Sequence, residues 1–259
     1  MSRIIAVANQ KGGVGKTTTN VNLSTCLAQA GKRVLVVDMD PQGNTTSGFG
    51  VDKYGLQKTV YDLLIGEATL DDVALPVCAD GVRLLPANIN LSGAEIELIT
   101  MSEREYRLRD IFSRTRYLFD YIFIDCPPSL NLLTLNALCA ADSVLIPIQC
   151  EYYALEGLTQ LMNTISRVQR KLNPRLVIEG VVFTMYDTRT NLSSQVVEEV
   201  KKHLGDHTYK TIIPRNVRLS EAPSHGLPIT LYSADSRGAE AYRLLAQEMI
   251  ENNKGGDPK

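Results

Sequence analysis

The sequence predicts an α/β fold, a doubly wound and mostly parallel sheet flanked by helices. Three observations carry this. Short β-branched runs are apolar at nearly every position, as strands covered on both faces are. Amphipathic helical patterns alternate with those runs. A glycine-rich turn joins the first run to a helix, at the kind of crevice where open α/β sheets hold ligands.

The elements follow in order. "RIIAVAN" (3–9) reads as the first strand, and a helix runs from about Thr17 to Gln29, with Gly31 where a helix C-terminal glycine belongs. "RVLVVDMD" (33–40), "VRLLPA" (82–87), "YIFIDCPP" (121–128) and "SVLIPI" (143–148) read as further strands. Leu155, Leu158, Leu161, Met162, Ile165, Val168 and Leu172 recur at helical spacing. A strand "VIEGVVFTMY" (177–186) precedes a helix bearing Leu192, Val196, Val197, Val200 and Leu204, with Glu198, Glu199, Lys201 and Lys202 opposite. "TIIP" (211–214) reads as the seventh strand. The last helix, about Gly238 to Asn252, carries Leu244, Leu245, Met249 and Ile250. Residues 1–252 are thus expected to form a single domain, and 253–259, "NKGGDPK", a polar tail.

Composition narrows the function classes. A chain of 259 residues suits one large α/β domain. It contains no apolar run long enough to span a bilayer. The start, "MSRIIAVANQ", enters a strand without an apolar export signal. Cys26, Cys78, Cys126, Cys139 and Cys150 lie far apart with no CxxC pair, which argues against a disulfide framework or a zinc site. A reducing cytoplasm is the expected home. Net charge is -2, so any nucleic-acid binding must use a local patch or a surface that an oligomer creates.

The chemistry concentrates in "ANQKGGVGKTTTNVNLS", Ala8 to Ser24. A phosphate-binding loop has glycine, four residues, then Gly-Lys-Ser/Thr. Here position 10 is glutamine, and position 11 is a second lysine. Gly12, Gly13 and Gly15, with Val14 between them, still let consecutive backbone N–H groups turn inward. The helix N-terminus adds partial positive charge. Lys16 is placed to reach β- and γ-phosphates, Thr17 to ligate Mg²⁺ and Thr18 to support the α-phosphate of a nucleotide. Such a run arises by chance in a chain of this size with odds on the order of 10⁻⁴. Asp38 ends one strand, Asp40 follows it in "DMDPQGN", and Asp125 ends another. Carboxylates at the C-terminal ends of parallel strands face the ligand crevice. Asp125 is expected to hold Mg²⁺ through water, and Asp40, in a Gly/Asn-rich segment, to orient an attacking water. Lys11 either folds inward and crowds Lys16, or reaches outward to phosphates of a second molecule.

"KGGVGKTTTNVNLS", "VDMDPQGNTTSG", "DYIFIDCPPSL", "IPIQCEYYALEGL" and "IPRNVRLSEAPSHGLPI" together resemble the ParA/Soj chromosome-partitioning ATPases of the deviant Walker A (ParA/MinD) superfamily. The resemblance runs from Arg3 to about Asn252. It implies a Mg²⁺-dependent ATPase whose two copies sandwich ATP, bind double-stranded DNA nonspecifically as a dimer and are released by hydrolysis. A ParB/Spo0J-type protein would stimulate that hydrolysis. Lys11 then corresponds to the lysine that crosses the dimer, Gly12 to the glycine that lets two loops approach, and Asp40 to the switch residue needed for hydrolysis. Pro214 and Asn216 fall in the segment beside the adenine. Arg189 and Arg218, with Lys201 and Lys202 as neighbours, match basic positions used for DNA. The expected place is the cytoplasm, on the nucleoid.

Three rivals share parts of this pattern. A MinD-like membrane ATPase would need a basic amphipathic C-terminal helix, and "AYRLLAQEMIENNKGGDPK" has few basic residues. An electron-transfer iron protein would need cluster cysteines, for which Cys126 and Cys139 are the only pair in the right region. A partition ATPase for plasmid or protein cargo keeps the cycle. Many plasmid types carry an N-terminal DNA-reading domain, for which a loop starting near residue 10 leaves no space.

Overall fold

The computed structural model describes residues 2–151 and 154–254. Seven strands form one sheet: β1 (Arg3–Val7), β2 (Val34–Asp38), β3 (Leu75–Pro76), β4 (Val82–Leu85), β5 (Tyr121–Asp125), β6 (Ser143–Gln149) and β7 (Val177–Thr184). Their order is β3-β4-β2-β5-β1-β6-β7. All neighbours are parallel except β3 and β4. The first helices are α1 (Lys16–Gln29), α2 (Asn44–Gly48), α3 (Val60–Ile65), α4 (Leu70–Val73), α5 (Leu91–Ile99) and α6 (Arg107–Thr115). The remainder are α7 (Leu132–Ala140), α8 (Ala154–Lys171), α9 (Asn191–Leu204), α10 (Val217–Glu221), α11 (Ile229–Tyr232) and α12 (Arg237–Lys254). The expected doubly wound, mostly parallel sheet is present.

Two cores explain the uninterrupted apolar strands. Along β1, Ile4 and Ala6 face one core while Ile5 and Val7 face the other. Along β5, Ile122 and Ile124 oppose Tyr121 and Phe123 in the same way. Successive side chains leave opposite faces, so a strand covered twice needs apolar residues at every position. Helices α3 and α5 to α9 cover the first face, and α1 and α10 to α12 the second. α1 ends as its glycine predicted. Gly31, at φ 80°, donates to the Ala28 carbonyl at 2.8 Å, and Lys32 donates to Leu27 at 3.1 Å.

Register brings the chemistry together. Asp125 lies level with Val7 on one side and with Asp38 on the other. The glycine-rich loop and two of the three acids therefore leave the sheet side by side.

Three expectations need correction. Residues 211–214 are not a strand: one isolated bridge, Tyr186 to Pro214, pairs this stretch with the residues just after β7, and another, Val181 to Thr208, lies before it. Pro214 has no N–H to give a ladder. The Lys210 and Thr211 amides instead donate to the Glu248 carboxylate of α12, at 2.7 and 2.9 Å. The seventh strand is the two-residue β3, too short and too proline-bearing to read from sequence. The last helix runs to Lys254, and Asn253 donates to the Tyr121 hydroxyl at 2.9 Å, so Asn253 packs with the fold rather than opening a tail. Residues 255–259 of the expected tail lie outside the described residues, as do Tyr152 and Tyr153 of the "IPIQCEYYALEGL" block.

Candidate nucleotide site

The loop between β1 and α1 is held from outside itself. Asn9 Nδ2 donates to the Pro147 carbonyl at 2.8 Å, and Asn9 Oδ1 accepts the Lys11 amide at 3.0 Å. Gly13 and Gly15 take φ of 74° and 89°, left-handed values that a side chain would strain. Gly12 differs. A Cβ placed there meets nothing within 4 Å among the described residues, so none of them requires glycine at 12.

Lys16 is 7 % exposed. Its ammonium donates to the Lys11 carbonyl at 3.1 Å and is folded over the loop. Burial lowers its pKa, while Asp125 and Asp40 pull the other way and favour the cation. Thr17 Oγ1 and Thr45 Oγ1 both donate to Asp125 Oδ2, each at 2.7 Å. Asp125 Oδ1 is buried and, among the described residues, makes no hydrogen bond of good geometry, with the Asn20 amide beside it. A buried carboxylate oxygen held this loosely, beside a threonine hydroxyl, fits a hydrated Mg²⁺. Among the described residues no three His, Cys, Asp or Glu side chains converge as a metal cage. Mg²⁺ held by one or two side chains and by phosphate oxygens needs none.

Asp38 plays a different part from the metal role expected of it. Its Oδ2 accepts the Thr46 amide at 2.8 Å and hydroxyl at 2.7 Å, and its Oδ1 accepts the Asp40 amide at 3.2 Å. Both oxygens are thus taken by protein donors, and the carboxylate pins α2 to the sheet end. Asp40 lines the phosphate cavity, and its Oδ1 accepts the Gln42 amide at 2.9 Å.

Burial, with the Asp125 carboxylate beside it, pushes the Asp38 pKa up to about 7. The folded chain therefore keeps a proton there that the unfolded chain releases near pH 4. Stability contributed this way falls as pH rises from about 4 to 7 and is flat above. Nucleotide-free protein in EDTA is expected to melt roughly 3 °C higher at pH 6 than at pH 8. Asp38→Asn should remove most of that slope; an undiminished slope in the variant would reject Asp38 as its source.

Two adjoining cavities meet at the loop. One, of about 640 Å³, is lined by Gly12, Gly13, Gly15, Lys16, Thr17 and Asp40 among others. The second, of about 380 Å³, is lined by Thr184, Pro214, Asn216, Leu219 and Tyr242, and shares Gly15, Thr18, Met185 and Pro223 with the first. Pro214 and Asn216 thus line the cavity that adjoins the loop. Val14 sits behind the loop, buried. Lys11 lines neither cavity. Its ammonium is 3.0 Å from Glu151, at the outer rim with Gln10, Pro128 and Leu130.

The basic residues are less gathered. Arg189 is 83 % exposed and grips Asp187 at 2.7 and 2.9 Å. The Asp187 carboxyl is held well below the usual carboxylate range by that guanidinium, with Arg215 adding to the effect. Arg218 pairs with Glu221 at 2.9 Å, and Lys202 with Glu199 at 3.1 Å. Lys201 is exposed. Arg189 precedes α9, whereas Lys201 and Lys202 lie at its far end, about 18 Å along the axis at 1.5 Å per residue. The fold places the 215–218 segment near Arg189 instead, through the Arg215 amide donating to the Tyr186 carbonyl at 2.9 Å. Sequence reading missed Arg215, Thr45, Thr46 and Thr184. Only the two threonines carried a signal, being polar residues in a run, "DPQGNTTSG", already marked by Asp40.

Cys126 and Cys139 are buried core residues, and burial pushes the Cys139 thiol up to about 12. Both side chains are spent on packing rather than turned to the surface. The apolar face of α12 (Tyr242, Leu245, Ala246 and Met249) is spent on the second core. Among the described residues no helix is long and apolar enough to cross a membrane.

A strand, a glycine-rich loop with a buried lysine and a helix, backed by a strand-end aspartate on the loop threonine, define a P-loop ATPase that uses ATP and Mg²⁺. Comparison with known proteins agrees. The family model described as "AAA domain" matches residues 2–178. The sporulation initiation inhibitor protein Soj of Bacillus subtilis is 59 % identical over 252 residues, 97 % of this chain and 100 % of that protein. The chromosome partitioning protein ParA of Caulobacter vibrioides is 53 % identical over 259 residues, 99 % of this chain and 97 % of its own. A solved structure described as cobyrinic acid a,c-diamide synthase from Mycobacterium smegmatis, with bound ATP analog and magnesium, superposes with TM-score 0.86 at 39 % identity, covering 99 % of this chain and 98 % of that one. The chain belongs to the ParA/Soj family of chromosome-partitioning ATPases.

Proposed function

We propose that ATP pairs two copies of this chain face to face, that the pair binds double-stranded DNA nonspecifically, and that hydrolysis separates the pair and releases the DNA. The observation that carries this is Lys11. Its side chain turns out of its own phosphate cavity to the rim, next to a Gly12 that no packing among the described residues requires. A lysine placed there serves the nucleotide of a second copy. Each charge-assisted contact to phosphate contributes about 1.5–3 kcal/mol, and two-fold symmetry makes two of them. Loss of the γ-phosphate weakens both at once.

Net charge -2 makes a monomer a poor DNA ligand, whereas a dimer doubles each arginine cluster. Arg189, Arg215 and Arg218 form the surface we assign to DNA, with Lys201 and Lys202 outside it. Arg189 and Arg218 each exchange a carboxylate partner for phosphate, a change that costs little because ion pairs at the surface contribute only ~0–1 kcal/mol. A ParB/Spo0J-type protein accelerates hydrolysis, and the cycle runs in the cytoplasm on the nucleoid.

The test is mass and DNA affinity with MgATP, measured on the Asp40→Ala chain so that the ATP state persists. It should double in mass and bind DNA with a steep salt dependence. Adding Arg189→Glu should leave the mass doubled and cut DNA affinity at least ~10-fold. A monomer in saturating ATP rejects the pairing; unchanged DNA affinity rejects the arginine surface.

A further inference from the structure

We propose that Thr184 is a positioning residue for the phosphate loop: its hydroxyl turns the Val14–Gly15 peptide so that the Gly15 N–H faces the phosphates. Thr184 is the last residue of β7, 170 positions from the loop, and it is 2 % exposed. Its Oγ1 donates to the Val14 carbonyl at 2.8 Å. Among the described residues no backbone N–H outside the helices and strands donates to that carbonyl. A peptide group is planar and trans, so its C=O and N–H point in opposite directions. Fixing the Val14 oxygen behind the loop therefore aims the Gly15 N–H at the cavity in front. A phosphate loop works by N–H groups held in advance of the ligand.

Packing supports the same role. A Cβ built on Gly15 would lie 3.5 Å from Thr184 Cγ2 and 3.7 Å from its Cβ and Oγ1. The threonine thus supports the loop at its most left-handed residue. The next residue, Met185, is held at φ 51°, and among described non-glycine residues only Glu103 shares that region. Such strain persists only where both sides anchor it. On one side Thr184 grips the loop. On the other, the Tyr186 amide donates to the Ile213 carbonyl at 3.1 Å, and the Tyr186 carbonyl accepts the Arg215 amide at 2.9 Å. Met185 lines both cavities from this fixed point. The tip of β7 thereby sets the phosphate loop and the wall of the adjoining cavity in one frame.

The experiment compares Thr184→Val, Thr184→Ser and Thr184→Ala in the full chain. Readouts are MgADP affinity by calorimetry, KM and kcat for ATP, and the nucleotide-free Tm. Valine keeps the shape and removes the donor; serine and alanine differ from each other only in the hydroxyl. Valine and alanine should each weaken MgADP about tenfold, the worth of one lost hydrogen bond with its acceptor left buried, and raise KM in proportion. Serine should bind within about threefold of the parent, since it keeps the donor. Should valine not fold, the serine–alanine pair decides alone. Equal MgADP affinity in serine and alanine, or a fall in affinity that only follows Tm, would overturn the assignment.

Discussion

Alanine at position 16 is expected to lower MgATP affinity by at least ~100-fold and to remove turnover, with the fold intact. Two charge-assisted contacts to the β- and γ-phosphates, at about 1.5–3 kcal/mol each, give a loss between ~10² and ~10⁴. Buried at the mouth of the loop, the ammonium has few waters, and its field on a phosphate is correspondingly strong. Removing it also leaves Asp40 and Asp125, which now stabilise the cation, facing an anionic ligand without relief. Nucleotide-free stability should change little. The desolvated cation costs about what its carboxylate neighbours return. Calorimetric titration at fixed Mg²⁺, with circular dichroism to check the fold, measures this. Affinity within tenfold of the parent chain would mean that the backbone cradle alone holds the triphosphate.

What could be read beforehand followed from how local each feature is. The loop is contiguous, so its glycines, Lys16 and Thr17 were legible from spacing. Asp38 and Asp125 were legible because each closes an apolar run whose strand character is plain. Their division of labour was not. Only the short helix α2, folding back through Thr45 and Thr46, shows that Asp38 fastens α2 while Asp125 supports Thr17. Residues 211–214 have the composition of a strand, yet the Thr211 amide is claimed by Glu248, 37 residues on, Pro214 has no N–H, and the Ile213 amide alone is seen to donate to β7. Thr184 was invisible for the same reason. A threonine at the end of a strand has good β-propensity and no other signature, and its partner is set by tertiary packing. Lys201 and Lys202 looked like neighbours of Arg189 because a helix hides its length in sequence; the first three turns of α9 carry them away.

Mixing two inactive proteins should restore activity, and this separates the two uses of Lys11. In the proposed pairing Lys11→Ala removes the lysine that crosses to the other copy, and its own dimers should not turn over. Asp40→Ala keeps Lys11 and pairing but lacks the water-orienting carboxylate, a loss typically of ~10²–10⁴. In a mixed dimer, the nucleotide held by the Lys11→Ala copy has that copy's Asp40 and receives Lys11 from the Asp40→Ala copy. That site is complete, and the other lacks both groups. Random pairing of equal amounts makes half the dimers mixed, each with one working site, so ATP turnover should reach about a quarter of the parent value. If Lys11 served the nucleotide of its own chain, every site in the mixture would lack one group, and mixing would add nothing. The Glu151 contact does not stand in the way, since an exposed pair of this kind is worth ~0–1 kcal/mol and yields to a triphosphate. Turnover that rises on mixing, and rises in proportion to the mixed fraction, requires a lysine that acts across the dimer; a flat response across all ratios excludes it.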